Sequence, residues 1–139
     1  LKVRSPLFNA IMYDPGGLGR AEREVGALAA SMVNRCIYCA AVHAMRHAQL
    51  EKSTELTDRL FADGAAADLA PRARAIFDFA AALSECPPEA DAAHVAALRA
   101  AGLEEAEIVD LILSSALFGW ANRLMHVLGD PVRPDKEAG

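Results

Sequence analysis

Apolar positions along this chain return every three or four residues, the period of one helix face. Leu7, Phe8, Ile11 and Met12 follow Ser5-Pro6 and predict a short first helix. Asp14-Pro15-Gly16-Gly17 stops it, because proline disfavours helix in the residue before it and glycines adopt turn conformations cheaply. A second helix is predicted from Gly19 to about Val33, with Val25, Leu28, Ala29, Met32 and Val33 on its apolar face and Arg20, Glu22 and Arg23 in water. Asn34 reads as a break and N-cap for a third helix that has Cys36 in its first turn and runs through Leu50. Ser53 or Thr54 can cap a short helix over 55–62, ended by Asp63-Gly64. Pro71 opens the next, with Ala75, Ile76, Phe79, Ala82 and Leu83 as its stripe, before Pro87-Pro88. Asp91 starts one that reaches Ala101, with Gly102 beyond its end, and a last helix spans about 104–128. Its middle, IVDLILSSALFGWA, is apolar on nearly every side, which predicts burial by the core and by a neighbouring subunit. Residues 130–139 read as a flexible tail.

Composition sharpens this to an all-α fold of six to seven helices. The chain has thirty alanines and two threonines, and alanine loses no side-chain entropy in a helix whereas β-branched residues lose χ1 freedom. The 139 residues suit one domain, with 20–50 as its core motif. A net charge of −5 without a basic stripe argues against nucleic-acid binding. The strongly apolar run from Leu111 to Ala121 is shorter than the roughly 20 residues a bilayer span needs, so no membrane association is expected. Three unevenly placed cysteines do not make a disulfide framework, and a reducing, cytoplasmic setting is the expectation. The chain begins at Leu1 without a leader pattern, which leaves a trimmed N-terminus as the reading.

Chemistry concentrates between Glu24 and His43, in EVGALAASMVNRCIYCAAVH. On a helix continuous from Cys36, Cys39 is i+3 and His43 a further i+4, so all three fall within about 60° of one face. A helix N-terminus favours a nearby anion, which suits a thiolate there. An imidazole one turn away can take the proton of a thiol directly or through a water, and Glu24, from the preceding helix, can orient that imidazole. Such a thiolate suits attack on a peroxide oxygen, giving a sulfenic acid that a second cysteine condenses to a disulfide.

The run RAEREVGALAAS, the entry NRCIYC, and Glu24, Cys36, Cys39 and His43 at these spacings resemble the AhpD-like alkylhydroperoxidases of the carboxymuconolactone decarboxylase superfamily. The likeness extends loosely over most of the chain, including WANRLMHVLG in the last helix. It implies an all-α fold assembled into homo-oligomers, trimers or hexamers, and a peroxidase acting on hydrogen peroxide or organic hydroperoxides. By that resemblance Cys39 is peroxidatic, Cys36 resolving, His43 the base and Glu24 its proton-relay partner, with no bound metal or organic cofactor. Electrons come from an external thiol, a lipoyl or thioredoxin-like reductant, or a peroxiredoxin partner. The best-characterised family members carry a histidine immediately before the second cysteine as a further relay element, where this chain has Tyr38.

Other readings are weighed beside this one. A zinc site drawing on Cys36, Cys39, His43 and His47 is opposed by length. On a continuous helix Cys36 and His47 lie about 16 Å apart along the axis, and zinc donors sit about 2.0–2.3 Å from the metal. A decarboxylase of the same superfamily, or a non-enzymatic redox-sensing or metal-binding helical module, stays open. His47 reads as a surface or packing histidine, and Cys86 as incidental. Finally, Glu107 and His126 are nineteen residues apart, as are Glu24 and His43, and Leu111 and Ser114 match Leu28 and Ser31. That echo raises an old duplication as a hypothesis beside chance agreement between two Ala- and Leu-rich helices.

Overall fold

The structure, a computed structural model, describes residues 2–129. The tail over 130–139 lies outside the described residues. Among those described, seven α-helices follow one another and no strand occurs: α1 (Arg4–Tyr13), α2 (Arg20–Val33), α3 (Ile37–Glu51), α4 (Glu55–Asp63), α5 (Pro71–Ser84), α6 (Ala92–Ala100) and α7 (Glu105–Leu128). A 3₁₀ turn over Gly64–Ala66 follows α4. The predicted helices are all present.

The ends of several helices follow from side chains the sequence supplies. Asp91 caps α6, its Oδ1 accepting from the N–H groups of Ala93 at 3.0 Å and His94 at 3.1 Å. Glu107 reaches back to the backbone N–H of Glu104 at 2.8 Å, closing the start of α7. Pro71 opens α5, where its missing N–H would have had no intrahelical partner.

Helix α2 is the hub, packing against α3, α5 and α7. Every residue from Arg23 to Ser31 is buried, and most are small, so neighbouring backbones come close. At Gly26 an added Cβ would stand 2.7 Å from Leu111 Cδ1 and 3.1 Å from Ser115 Oγ on α7. The main core gathers Leu28, Leu60, Ile76, Phe79, Leu98 and Leu111. A second, smaller cluster joins Met12 of α1 to Ala27 and Ala30 of α2 and Leu117 and Phe118 of α7.

Arg23 corrects the expectation of a solvated first turn. It is 1 % exposed, donating to the carbonyl of Ile11 at 2.9 Å, to the carbonyl of Gly16, and to Asp110 Oδ2 at 3.2 Å. The same Asp110 oxygen accepts from the N–H of Leu18 at 2.9 Å. One buried guanidinium thus ties the α1–α2 turn to α7, with hydrogen bonds for most of its donors, as a buried charge requires. Gly17 permits this: its φ is +68°, and a Cβ would meet Asp110 Oδ2 at 1.9 Å. Glu22 is also not free in water but holds Arg72 of α5 at 2.5 Å.

The junction between α2 and α3 also differs from the expected N-cap at Asn34. Asn34 closes α2, donating from its backbone N–H (3.0 Å) and its side-chain Nδ2 (2.8 Å) to the carbonyl of Ala30. Arg35 then takes a left-handed conformation at φ 55°. Its N–H donates to the carbonyl of Met32 at 3.1 Å, and that of Cys36 to Ser31 at 2.9 Å. This is a Schellman ending with arginine where glycine is usual. Cys36 is extended (φ −88°, ψ 91°) and is itself the N-cap of α3.

Helix α7 runs unbroken for 24 residues. It is long and apolar enough to cross a membrane by length and composition, beyond what the shorter apolar run suggested. Its buried side carries Ile108, Leu111, Ser114, Phe118 and Asn122 into contact with the rest of the fold, the behaviour of a core helix. Because α7 has no turn, Glu107 and His126 stand about 28 Å apart along its axis. Instead Glu107 meets Arg72 at 3.1 Å, and His126 Nε2 lies 2.6 Å from the carbonyl of Asn34, so the echo of Glu24 and His43 in sequence has no counterpart in space.

Candidate functional site

The turn at Asn34–Cys36 folds α3 back along α2, and this brings together two side chains nineteen residues apart. Glu24 Oε2 lies 2.6 Å from His43 Nδ1, with Glu24 1 % and His43 5 % exposed. Arg20, one turn earlier on α2, donates from Nε to Glu24 Oε1 at 3.1 Å and again from Nη2. Burial pushes the Glu24 carboxyl up, but the hydrogen bond and charge of His43, followed by those of Arg20, outweigh it, and its pKa ends below the usual carboxylate value. Glu24 is therefore an acceptor only, so the His43 nitrogen facing it carries the proton and donates. That leaves Nε2 as the proton-accepting atom of a neutral His43 ring. The edge-to-face contact with Phe118, 4.0 Å between centroids at 75°, fixes the ring plane from the side of α7.

Cys39 stands in the first turn of α3, one helical turn before His43, and both line one cleft of about 420 Å³ with Glu24. Its position at a helix N-terminus favours negative charge on sulfur. Cys36 is placed differently. It is buried at the N-cap, and it lines a separate, mainly apolar cleft with Met32, Ala40 and Phe61. Cys36 is thus the N-cap of α3 and not a residue of its first turn, while Cys39 and His43 both lie within the helix.

Tyr38 is half exposed and lines the Cys39 cleft. His47 is 6 % exposed, a packing residue and not a surface one, and its Nδ1 has no hydrogen-bond partner among the described residues. Burial lowers its pKa, opposed by the charges of Glu51 and Glu24, so the ring is held neutral. Among the described residues no cluster of three His, Cys, Asp or Glu side chains could hold a metal ion. Cys86 is exposed at the end of α5. Arg20 was not foreseen as a site residue, although its i, i+4 spacing from Glu24 was a readable signal. Phe118 and Met125, read from the sequence as packing residues of which some could line a pocket near the thiols, do line this cleft.

The sequence model of the carboxymuconolactone decarboxylase family matches residues 1–82. Among solved structures, an uncharacterised peroxidase-related protein with an alkylhydroperoxidase AhpD core from Ralstonia eutropha is similar at 32% identity and a TM-score of 0.83, over 98% of this chain and 70% of that one. An uncharacterised peroxidase-related protein from a Silicibacter species is similar at 27% identity and a TM-score of 0.82, with the same coverage of 98% and 70%. A protein of unknown function from Agrobacterium tumefaciens, for which an AhpD antioxidant-defence role has been suggested, shares the fold at 20% identity and a TM-score of 0.78, over 95% of this chain and 90% of that one. No curated protein matches the sequence.

Proposed function

This chain belongs to the carboxymuconolactone decarboxylase family, and from that footing we propose that it is a dithiol alkylhydroperoxidase of the AhpD type. The observation that carries the reading is the buried Glu24–His43 pair one helical turn from Cys39 in a shared cleft. The peroxidase-related neighbours support the same class.

In this mechanism His43 Nε2 takes the proton of the Cys39 thiol, directly or through a water, and Glu24 stabilises the imidazolium. The thiolate attacks the terminal oxygen of the hydroperoxide. An S–O bond forms, the O–O bond breaks, and the departing alkoxide takes the proton from His43 and leaves as the alcohol. Cys39 is then a sulfenic acid, oxidised by two electrons. The Cys36 thiol condenses with that sulfur: an S–S bond forms, the S–O bond breaks, and the thiol proton leaves with the hydroxyl as water, closing a Cys36–Cys39 disulfide that an external dithiol reduces.

A decarboxylase of the family would leave the cysteine pair without a task. The reductant and the oligomer follow the family expectation, an external thiol carrier and a homo-oligomer, and cysteine usage suits a reducing, cytoplasmic setting.

The direct test treats the reduced protein with one equivalent of hydroperoxide and maps thiols by alkylation and mass. A Cys36–Cys39 disulfide is expected, with a trapped sulfenic acid in Cys36→Ser and no oxidation in Cys39→Ser. Peroxide consumption that survives Cys39→Ser would overturn the assignment, as would stoichiometric zinc blocking both thiols.

A further inference from the structure

The cleft that holds Cys39 has an uneven lining. Phe8, Met12, Val42, Phe118, Leu124 and Met125 make it largely apolar, and its cations are Arg4, Arg20 and Arg46. Glu24 is the one acid among its described lining residues, and Arg20 and His43 already neutralise it. Arg20, Arg23, Arg59, Arg72, Arg74 and Arg99 each meet a carboxylate. The structure records no carboxylate partner among the described residues for Arg4, Arg35, Arg46 or Arg123, and of these four Arg4 and Arg46 line this cleft. The Arg4 guanidinium lies 4.8 Å above the Phe8 ring, and Arg46 donates to the neutral Gln49 amide at 3.3 Å. In a chain of net charge −5, two exposed arginines without carboxylates at the mouth of an apolar cleft are a local reversal of sign.

Helical geometry relates that charge to the sulfur. Cys39 and Arg46 are seven residues apart on α3, which returns them to the same face within about 20° and separates them by about 10 Å of axial rise. His43 lies between them on that face. A molecule with its reacting end at Cys39 therefore lies along α3 past apolar side chains and reaches Arg46 at its other end, with Arg4 on the facing helix α1.

We infer that the preferred substrate of this cleft is an amphipathic hydroperoxide that carries a carboxylate several bonds from its O–O group, an acyl-chain hydroperoxy acid. The inference rests on the peroxidase reading above and adds the substrate's class. Arginine suits the task because its planar donors match a carboxylate in two parallel hydrogen bonds. Apolar walls bind the chain by burial, and they strengthen the charge contact by excluding water from one side of it. A peracid, whose peroxide and acid carbon are adjacent, is too short to span Cys39 and Arg46.

The test compares kcat/KM for a medium-chain hydroperoxy acid and its methyl ester, the ester differing only in charge at the far end. Wild-type protein is expected to favour the acid by about three- to tenfold, in the range of one partly exposed charge pair. The preference should fall towards one in Arg46→Gln, further in the double variant with Arg4→Gln, and with rising salt. In parallel, binding of the matching non-reactive hydroxy acid to Cys39→Ser protein is measured by calorimetry, with the same arginine variants. Equal rates for acid and ester while hydroperoxide is consumed would overturn the inference and leave the peroxidase reading intact. No consumption of any hydroperoxide would overturn the peroxidase reading. In that event arginine-dependent binding of the hydroxy acid supports the carboxylate cleft, and absence of binding overturns it.

Discussion

His43 on α3 and Glu24 on α2 meet at 2.6 Å across a helix–turn–helix, in a site that leaves each almost wholly buried. The pairing sets which imidazole nitrogen can accept a proton, so it defines the direction in which the site can move one.

Glu24→Gln keeps the shape and removes the charge. It should slow hydroperoxide turnover by about tenfold to a hundredfold, the lower part of what positioned acid–base groups contribute. Alkylation of Cys39 followed against pH is the readout that separates this from a packing defect: the rate profile should move to higher pH. A Glu24→Gln protein with an unmoved profile would place Glu24 in structure alone. The same variant tests stability. Glu24 has a folded pKa below its usual 4.5, so its contribution is full above that value and is lost as pH falls through the folded value. The wild type should therefore lose melting temperature more steeply than Glu24→Gln on acidification below about pH 4.5.

His47 shifts in the same direction but is a base, so the unfolded chain binds its proton first. Its stabilising contribution is complete above the ordinary value of 6.5 and declines as pH falls from there towards the lower folded value. Thermal melts of wild type and His47→Gln between about pH 7.5 and 5 should diverge, with the wild type losing more. Parallel curves would show that the buried ring does not report on folding.

Gly26→Ala probes the close approach of α2 and α7. Alanine is intrinsically the better helix former by about 1 kcal/mol. Here its Cβ would stand 2.7 Å from Leu111 Cδ1, and Leu111 is fully buried with little room to yield. Overpacking costs about 1–3 kcal/mol, so a net loss of roughly 1 kcal/mol is expected in urea unfolding. A stabilised variant would show that α7 can move away from α2.

Asn122 is a buried polar link that closes the turn bearing Cys36. Its Oδ1 accepts from Asn34 Nδ2 at 3.2 Å, and its Nδ2 donates to Ser31 Oγ at 3.1 Å. Asn122→Leu should cost about 1–3 kcal/mol by removing both bonds. It should also change the alkylation rate of Cys36 more than that of Cys39, because Ser31 and Asn34 hold the turn before Cys36. Equal effects on the two thiols would count against this link.

Much of the architecture was legible before any coordinates. Helix periodicity, Pro71, the Asp91 cap and the Asp14-Pro15-Gly16-Gly17 break act within a few residues, so the helices appeared at nearly their observed bounds. The spacing of Cys39 and His43 at i, i+4 was legible for the same reason. Cys36 was misplaced because the α2 ending uses Arg35 in a left-handed conformation, a position where the usual signal is glycine. Arg23 was misplaced because its carboxylate, Asp110, lies 87 residues away.

The sequence by itself determined the helices and the candidate residues, since both rest on local periodicity and side-chain chemistry. Only the tertiary structure decided that Glu24 reaches His43, that Phe118 holds the ring, that the two cysteines line different clefts, and that Arg4 and Arg46 lack carboxylate partners among the described residues. Each of these depends on how α1, α2, α3 and α7 pack, and packing is set by contacts between residues far apart in the chain, which a local pattern does not encode.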